Sequence, residues 1–293
     1  MRLKKLDAFM IFGLALVMSE FVRADDPTAV PVSTTDQRSL MSMLSEKTVL
    51  NYFGIFRGGP LNSVSNSQQP SVNGALTPTN PISVENSITG GYKINKDLMV
   101  GVLGHFMYYP AGYPSGTGHD LQMLDPALLI QKNNLYKTGG LTINGRFLFA
   151  PALTQGDYLV PNHLAAALTP TIIFNYEVAN TGLNIGLFTY YRFYIPNASA
   201  ASDVRTYKIY AAPTLNYQLA KNLAATLWVD LVQASRYGGT SAFNLANDPI
   251  DIEPGINWDI TKNISLNPIL NIYPSNPTIA TTSFQAFIVA KAF

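Results

Sequence analysis

The chain has 293 residues, of which 47% are hydrophobic and only 13% charged, about half the charge of an ordinary soluble domain. With no cysteine and three histidines, it excludes disulfide frameworks and thiolate metal sites and leaves little for a polyhistidine centre. A net charge of +1 gives no electrostatic reason to expect nucleic acid as a partner.

Residues 1–24 read as a secretory signal peptide. Arg2, Lys4 and Lys5 precede an apolar run over 8–18, and Val22 and Ala24 offer small residues where a signal peptidase cuts. A membrane anchor is the alternative, but the run falls short of the ~20 residues a spanning helix needs. Residues 25–46 form a periplasmic N-terminal segment that opens Pro-rich. Thr35 and Asp36 then offer a cap for a short amphipathic helix carrying Leu40, Met41, Met43 and Leu44, which is either a plug or a tail. No other stretch holds ~18 uninterrupted apolar residues, so a helical inner-membrane protein is excluded.

From residue 47 onward the apolar period is two. Leu223, Ala225, Leu227, Val229 and Leu231 share one face, while Thr226, Trp228 and Asp230 share the other. Strands alternate in this way and helices do not. The pattern predicts strands over 47–57, 84–94, 98–109, 124–132, 140–150, 165–178, 183–195, 205–219, 223–237, 248–261, 264–275 and 281–293. Connections alternate between short ones (95–97, 133–139, 179–182, 220–222, 262–263) and longer polar ones (58–83, 110–123, 151–164, 196–204, 238–247, 276–280). Short turns at one rim and long loops at the other describe an all-β, transmembrane antiparallel β-barrel of about twelve strands with up-and-down topology, spanning 47–293. A proline recurs inside the pattern in LDPALLI (124–130), LTPTIIFNY (168–176), AAPTLNY (211–217), IEPGINW (252–258) and LNPILN (266–271). Because proline donates no ladder hydrogen bond, a bulge or bend is expected at each.

The chain closes with SFQAFIVAKAF over 283–293. With that alternating strand ending in Phe293, it resembles the Gram-negative outer-membrane β-barrel proteins, the porin-like transport barrels among them. The resemblance implies a place in the bacterial outer membrane, lipid as the surrounding partner, and recognition of the last strand by the barrel-assembly machinery. On that reading Phe287, Val289 and Phe293 take the apolar face, and Lys291 departs from it.

If the apolar face meets lipid, the other face lines the interior. The residues expected to line the lumen and set its selectivity are Arg146, Glu177, Arg192, Lys208, Asp230, Asp251, Glu253, Asp259, Tyr190 and Trp228. Glu85, Lys93, His105, Asp125, Arg236, Tyr194, Tyr210, Asn144, Asn216 and Asn257 fall on the same face. A charge facing mid-membrane lipid costs ~2–4 kcal/mol, which explains the sorting. Twelve tilted strands leave a bore of roughly 12 Å at most, enough for small solutes. The expected function is a pore or small-solute transporter with a polar, mixed-charge lumen and no cofactor. A closed structural or adhesive barrel filled by salt bridges fits the same charges, and an outer-membrane enzyme comes third. No catalytic signature stands out: Ser115, His119 and Asp120 lie in ordinary turn composition. Loop 58–83 reads as a variable surface segment.

Overall fold

The computed structural model describes residues 46–64, 66, 68–110, 120–155, 158–239 and 245–292. The alternating segments, rich in Val, Ile, Thr and aromatic residues, form twelve spanning strands. They are β1 (Thr48–Pro60), β2 (Ser83–Lys93), β3 (Leu98–Tyr108), β4 (Ala127–Thr138), β5 (Leu141–Pro151) and β6 (Leu164–Val178), followed by β7 (Leu183–Pro196), β8 (Arg205–Ala220), β9 (Leu223–Asp230, resuming as Val232–Tyr237), β10 (Asp251–Asp259), β11 (Ile264–Asn271) and β12 (Ser283–Lys291). Each strand pairs antiparallel with the next, and β12 pairs with β1 from Asn51–Lys291 to Arg57–Gln285, which closes the ring. Closure leaves no bare sheet edge, the condition for a sheet to stand in lipid. The expectations for 1–24, for most of 25–46, for Ser115 and His119, and for Phe293 concern residues outside those described.

Cross-strand partners share a face, so one parity can be followed around the ring. The outer face carries the exposed Val102, Leu128, Ile130, Phe147, Ile172, Ile185, Phe193, Leu215 and Ile288. One polar residue on that side, Asn86, is buried beneath Tyr52, whose hydroxyl donates to its Oδ1 at 2.7 Å. Gly54 leaves the room this pair occupies: an added Cβ would lie 2.5 Å from the Tyr52 hydroxyl and would push the ring aside.

Four local expectations are corrected. In β12 the faces are reversed: Gln285 pairs with Arg57, and Phe287 and Val289 follow it inward, while Phe284 and Ile288 are the exposed outer residues. Lys291 shares this inner parity, so it is no exception on a lipid face. The segment 133–139 is not a connection. Strand β4 continues to Thr138 through a bulge at Asn134 (φ 50°), and the turn is Gly139–Gly140 with Gly139 at φ 52°. The expected bulges occur at two of the five prolines: the register shifts by one across Leu124–Pro126, between the pairs Phe106–Met123 and Leu103–Ala127, and again opposite Pro213, between Thr214–Trp228 and Ala211–Val232. Around Pro170, Pro254 and Pro268 the ladder instead skips pairs and resumes in the same register. The extra residue opposite Pro213 belongs to β9, where Leu231 (50% exposed) and Val232 (36% exposed) both face outward. Beyond it the parity flips, and Arg236 stands opposite Tyr207, whose ring packs on Tyr191 on the outer side. Arg236 is therefore not on the inner wall.

The long connections gather at the other end. The first is not a featureless loop: it folds a small hairpin from Gln68–Pro70 and Leu76–Pro81. The amides of Leu61 and Asn62 donate to the carbonyls of Thr282 (2.9 Å) and Ile279 (3.2 Å), binding this loop to the last one. In the connection after β5, the described residues 152–155 and 158–163 turn inward. Leu159 is fully buried and packs with Leu164 against Ala127, Ala150, Ala167 and Tyr194 of the inner wall. Burying one leucine in this way is worth ~1.5–3 kcal/mol. Asp125 Oδ1 fastens the loop by accepting the amides of Leu153 (2.7 Å) and Thr154 (2.8 Å).

Candidate functional site

The inner wall below loop 152–163 is polar and aromatic, and strand register explains which groups meet. Tyr190 pairs across the ladder with Tyr210, and their rings stack with centroids 4.9 Å apart. Phe188, two residues before Tyr190, meets Tyr190 and Tyr210 edge-on at 6.1 and 5.9 Å and lies 5.9 Å from the Trp228 ring. Four rings from three strands thus line one side of the lumen.

Asp230 sits beside these rings as an acceptor. The Trp228 indole donates to its Oδ1 at 2.7 Å, the Tyr210 hydroxyl donates to the same oxygen, and Gln233 donates to Oδ2 at 2.9 Å. The next strand brings two more carboxylates: Asp251 lies opposite Asp230 and Glu253 opposite Trp228. Asn271 of β11 donates to Asp251 Oδ2 (2.6 Å) and Glu253 Oε1 (3.3 Å). Tyr273, in the connection after β11, has its hydroxyl pKa pushed up by burial first and then by the charges of Asp251, Glu253 and Asp230.

The neighbouring arc is basic. Arg146 on β5 pairs through Thr171 with Tyr190, while Arg192 on β7 pairs directly with Lys208 on β8. Among the described residues neither Arg146 nor Arg192 has a carboxylate partner; Arg192 lies 5.4 Å from the Tyr194 ring centroid, and Lys208 reaches Asp248 at 3.6 Å. A third arc is internally neutralised, with Glu85 accepting from Arg57 (2.6 Å) and contacting His105 (2.8 Å). Glu177 and Asp259 keep the inner parity but sit exposed at the short-turn rim, away from the rings.

Nearer the long-loop rim, Arg205 lies 4.9 Å from the Tyr158 ring centroid and 5.9 and 5.5 Å from those of Tyr194 and Tyr237. The Tyr158 hydroxyl accepts the Arg205 amide at 3.1 Å, and burial pushes its pKa up. Loop 152–163 is thereby joined to β8.

Sequence reasoning did not single out Phe188, Asn271, Gln233, Arg57 or Arg205. Position 188 falls in register with Tyr190 and Arg192, and that parity was the available signal. The amides and arginines become meaningful only once the register is known.

No protein-family model and no curated protein matches the chain. Among solved structures, an outer membrane channel from Pseudomonas putida F1 superposes at a TM-score of 0.53 with 11% identity, over 91% of this chain and 99% of that one. A NanC porin gives 0.46 at 9% identity over 82% and 98%, and Salmonella typhi OmpF in complex with daunomycin gives 0.40 at 10% over 83% and 97%. The fold is that of the closed outer-membrane β-barrels. Its structural neighbours are channels and porins.

Proposed function

We propose that the protein is an outer-membrane channel passing small polar solutes, with selectivity set by the inner wall. The carrying observation is the separation of unpaired charge into two arcs. Arg146 and Arg192 stand on β5–β7, and Asp230, Asp251 and Glu253 stand on β9–β10. A salt-bridge network that filled the lumen would pair these groups with one another, because a buried charge without a partner is costly. Unpaired opposite charges instead create a field that water and ions can occupy. In this reading residues 1–24 are removed on export, 25–46 stay on the periplasmic side, and the short turns face the periplasm. Barrel assembly then starts from recognition of the strand ending at Phe293.

The test is a salt gradient across a planar bilayer holding purified protein. Asp230→Lys with Glu253→Lys and Asp259→Lys moves the reversal potential toward anions, and Arg146→Glu with Arg192→Glu moves it toward cations. Gel mobility before and after boiling checks folding of each variant. A wild type without conductance above background overturns the channel reading.

One observation favours the second reading, a closed structural barrel. Loop 152–163 lies inside the long-loop end, and Phe53 and Phe287 stack on the inner face at 6.0 Å between centroids. The same bilayer recording decides between the two.

A further inference from the structure

We propose that the aromatic and acidic corner of the lumen is a binding station for planar organic cations of the guanidinium or amidinium class. The inference rests on the channel reading only for access from solvent.

Three carboxylates, Asp230, Asp251 and Glu253, meet here, and their hydrogen-bond donors are all neutral: an indole, a tyrosine hydroxyl and two amides. None of the three forms an ion pair among the described residues. The cations nearby are committed elsewhere. Arg57 is held by Glu85, and Lys208 is held by Asp248 and donates to the Gln233 side-chain amide oxygen, Oε1, at 3.4 Å.

The second observation is an orphaned atom. Asp251 is 7% exposed, and its Oδ1 is buried with no hydrogen-bond donor among the described residues, although the residue stands across the ladder from Asp230. Two facing carboxyl groups are both acceptors when ionised, so a donor belongs between them. A planar N–H-rich cation supplies donors in a fork that matches carboxylate geometry. The Trp228 indole N–H and the Tyr210 hydroxyl reach Asp230 from the edges of their rings, so both rings border the site. A single shared proton would neutralise one of the three charges and would leave the other two without a counter-ion.

The chain supplies its own reporter. It has two tryptophans, Trp228 in the station and Trp258 on the outer face, 46% exposed. In full-length Trp258→Phe protein in detergent micelles, the emission then comes from Trp228 alone. Methylguanidinium is the probe and methylurea its neutral, isosteric control. The expected result is a saturable change in Trp228 emission with methylguanidinium and none with methylurea. Asp251→Asn with Glu253→Gln raises the half-saturation concentration by about tenfold or more, whereas Asp97→Asn, in the exposed short turn 95–97, leaves it unchanged. Equal responses to both probes, or a midpoint in the Asp251→Asn/Glu253→Gln variant within twofold of the parent, overturn the station. No response to methylguanidinium, with parent emission that changes as pH is lowered, assigns the site to a shared proton and also overturns it. Bilayer conductance of the same preparation separates the two proposals. Conductance without a fluorescence response removes the station and leaves the channel; a fluorescence response without conductance does the reverse.

Discussion

Arg57 on β1 donates to Glu85 on β2 at 2.6 Å, and His105 on β3 meets the other Glu85 oxygen at 2.8 Å, so one carboxylate joins three consecutive strands from inside. The Arg57 and Glu85 side chains are 29% and 25% exposed, which leaves the pair partly screened. Charge-assisted hydrogen bonds of this kind are worth ~1.5–3 kcal/mol each at most. Glu85→Gln keeps the shape, loses the charge, and is expected to cost ~1–3 kcal/mol in reversible urea unfolding in lipid. Asp259→Asn at the exposed rim is the control and should change stability by less than ~0.5 kcal/mol.

The reversed faces of β12 give a test between neighbours. Ile288→Arg places a charge on the outer face in the middle of the strand and should cost ~2–4 kcal/mol. Phe287→Arg points into the lumen and should cost clearly less. Unfolding midpoints of the two variants in lipid vesicles decide the orientation, and the opposite order would restore the face assignment made from the sequence.

Asp125 fastens loop 152–163 through the amides of Leu153 and Thr154. Asp125→Ala removes both acceptor contacts at once, while Leu159 keeps its apolar seat. The expected outcome is a rise in single-channel conductance with more frequent fluctuation between levels. Leu159→Ser, which loses the seat itself, should raise conductance further. Unchanged conductance in both would mean that the permeation path avoids this loop.

The β9 bulge predicts a difference that the alternation of the sequence would not. Val232 faces lipid although Asp230, two residues earlier, faces the lumen. Val232→Asp should therefore destabilise the barrel by ~1–3 kcal/mol, while Thr226→Asp, of the same sequence parity but on the inner face before the bulge, should cost clearly less. Strict alternation along the strand puts both residues on one face and gives them equal costs.

The twelve strands were legible because lipid outside and water inside impose opposite demands on alternate residues. Leu223 to Asp230 shows this plainly. Where both faces are apolar the signal disappears: β12 offers Phe284 and Ile288 to one side and Phe287 and Val289 to the other, and composition alone does not rank them. The bulge at Leu231 hides for a similar reason, since two successive apolar residues read as ordinary strand. The continuation of β4 past Asn133 and Asn134 was missed because these residues have turn chemistry, and here that chemistry serves a left-handed bulge residue within the strand. The charged and aromatic members of the site stood out singly, as Tyr190, Trp228, Asp230, Asp251 and Glu253. Their grouping did not, because it depends on which residue of β8 meets which of β7 and β9. Loop 152–163 has no period to follow, so nothing marked Leu159 as a core residue.

The ladder between β1 and β12 joins the two ends of the barrel, since Asn51 meets Lys291. It is the contact of greatest sequence separation in the sheet, and such contacts form late and slowly. Until β12 docks, β1 and β11 each present a row of unsatisfied amides and carbonyls to any passing strand. An unfinished chain is thus a template for pairing with its own copies. The step that makes the wall continuous also ends that exposure, so the final nine residues of strand govern how long the newly made chain must be kept apart from others like it.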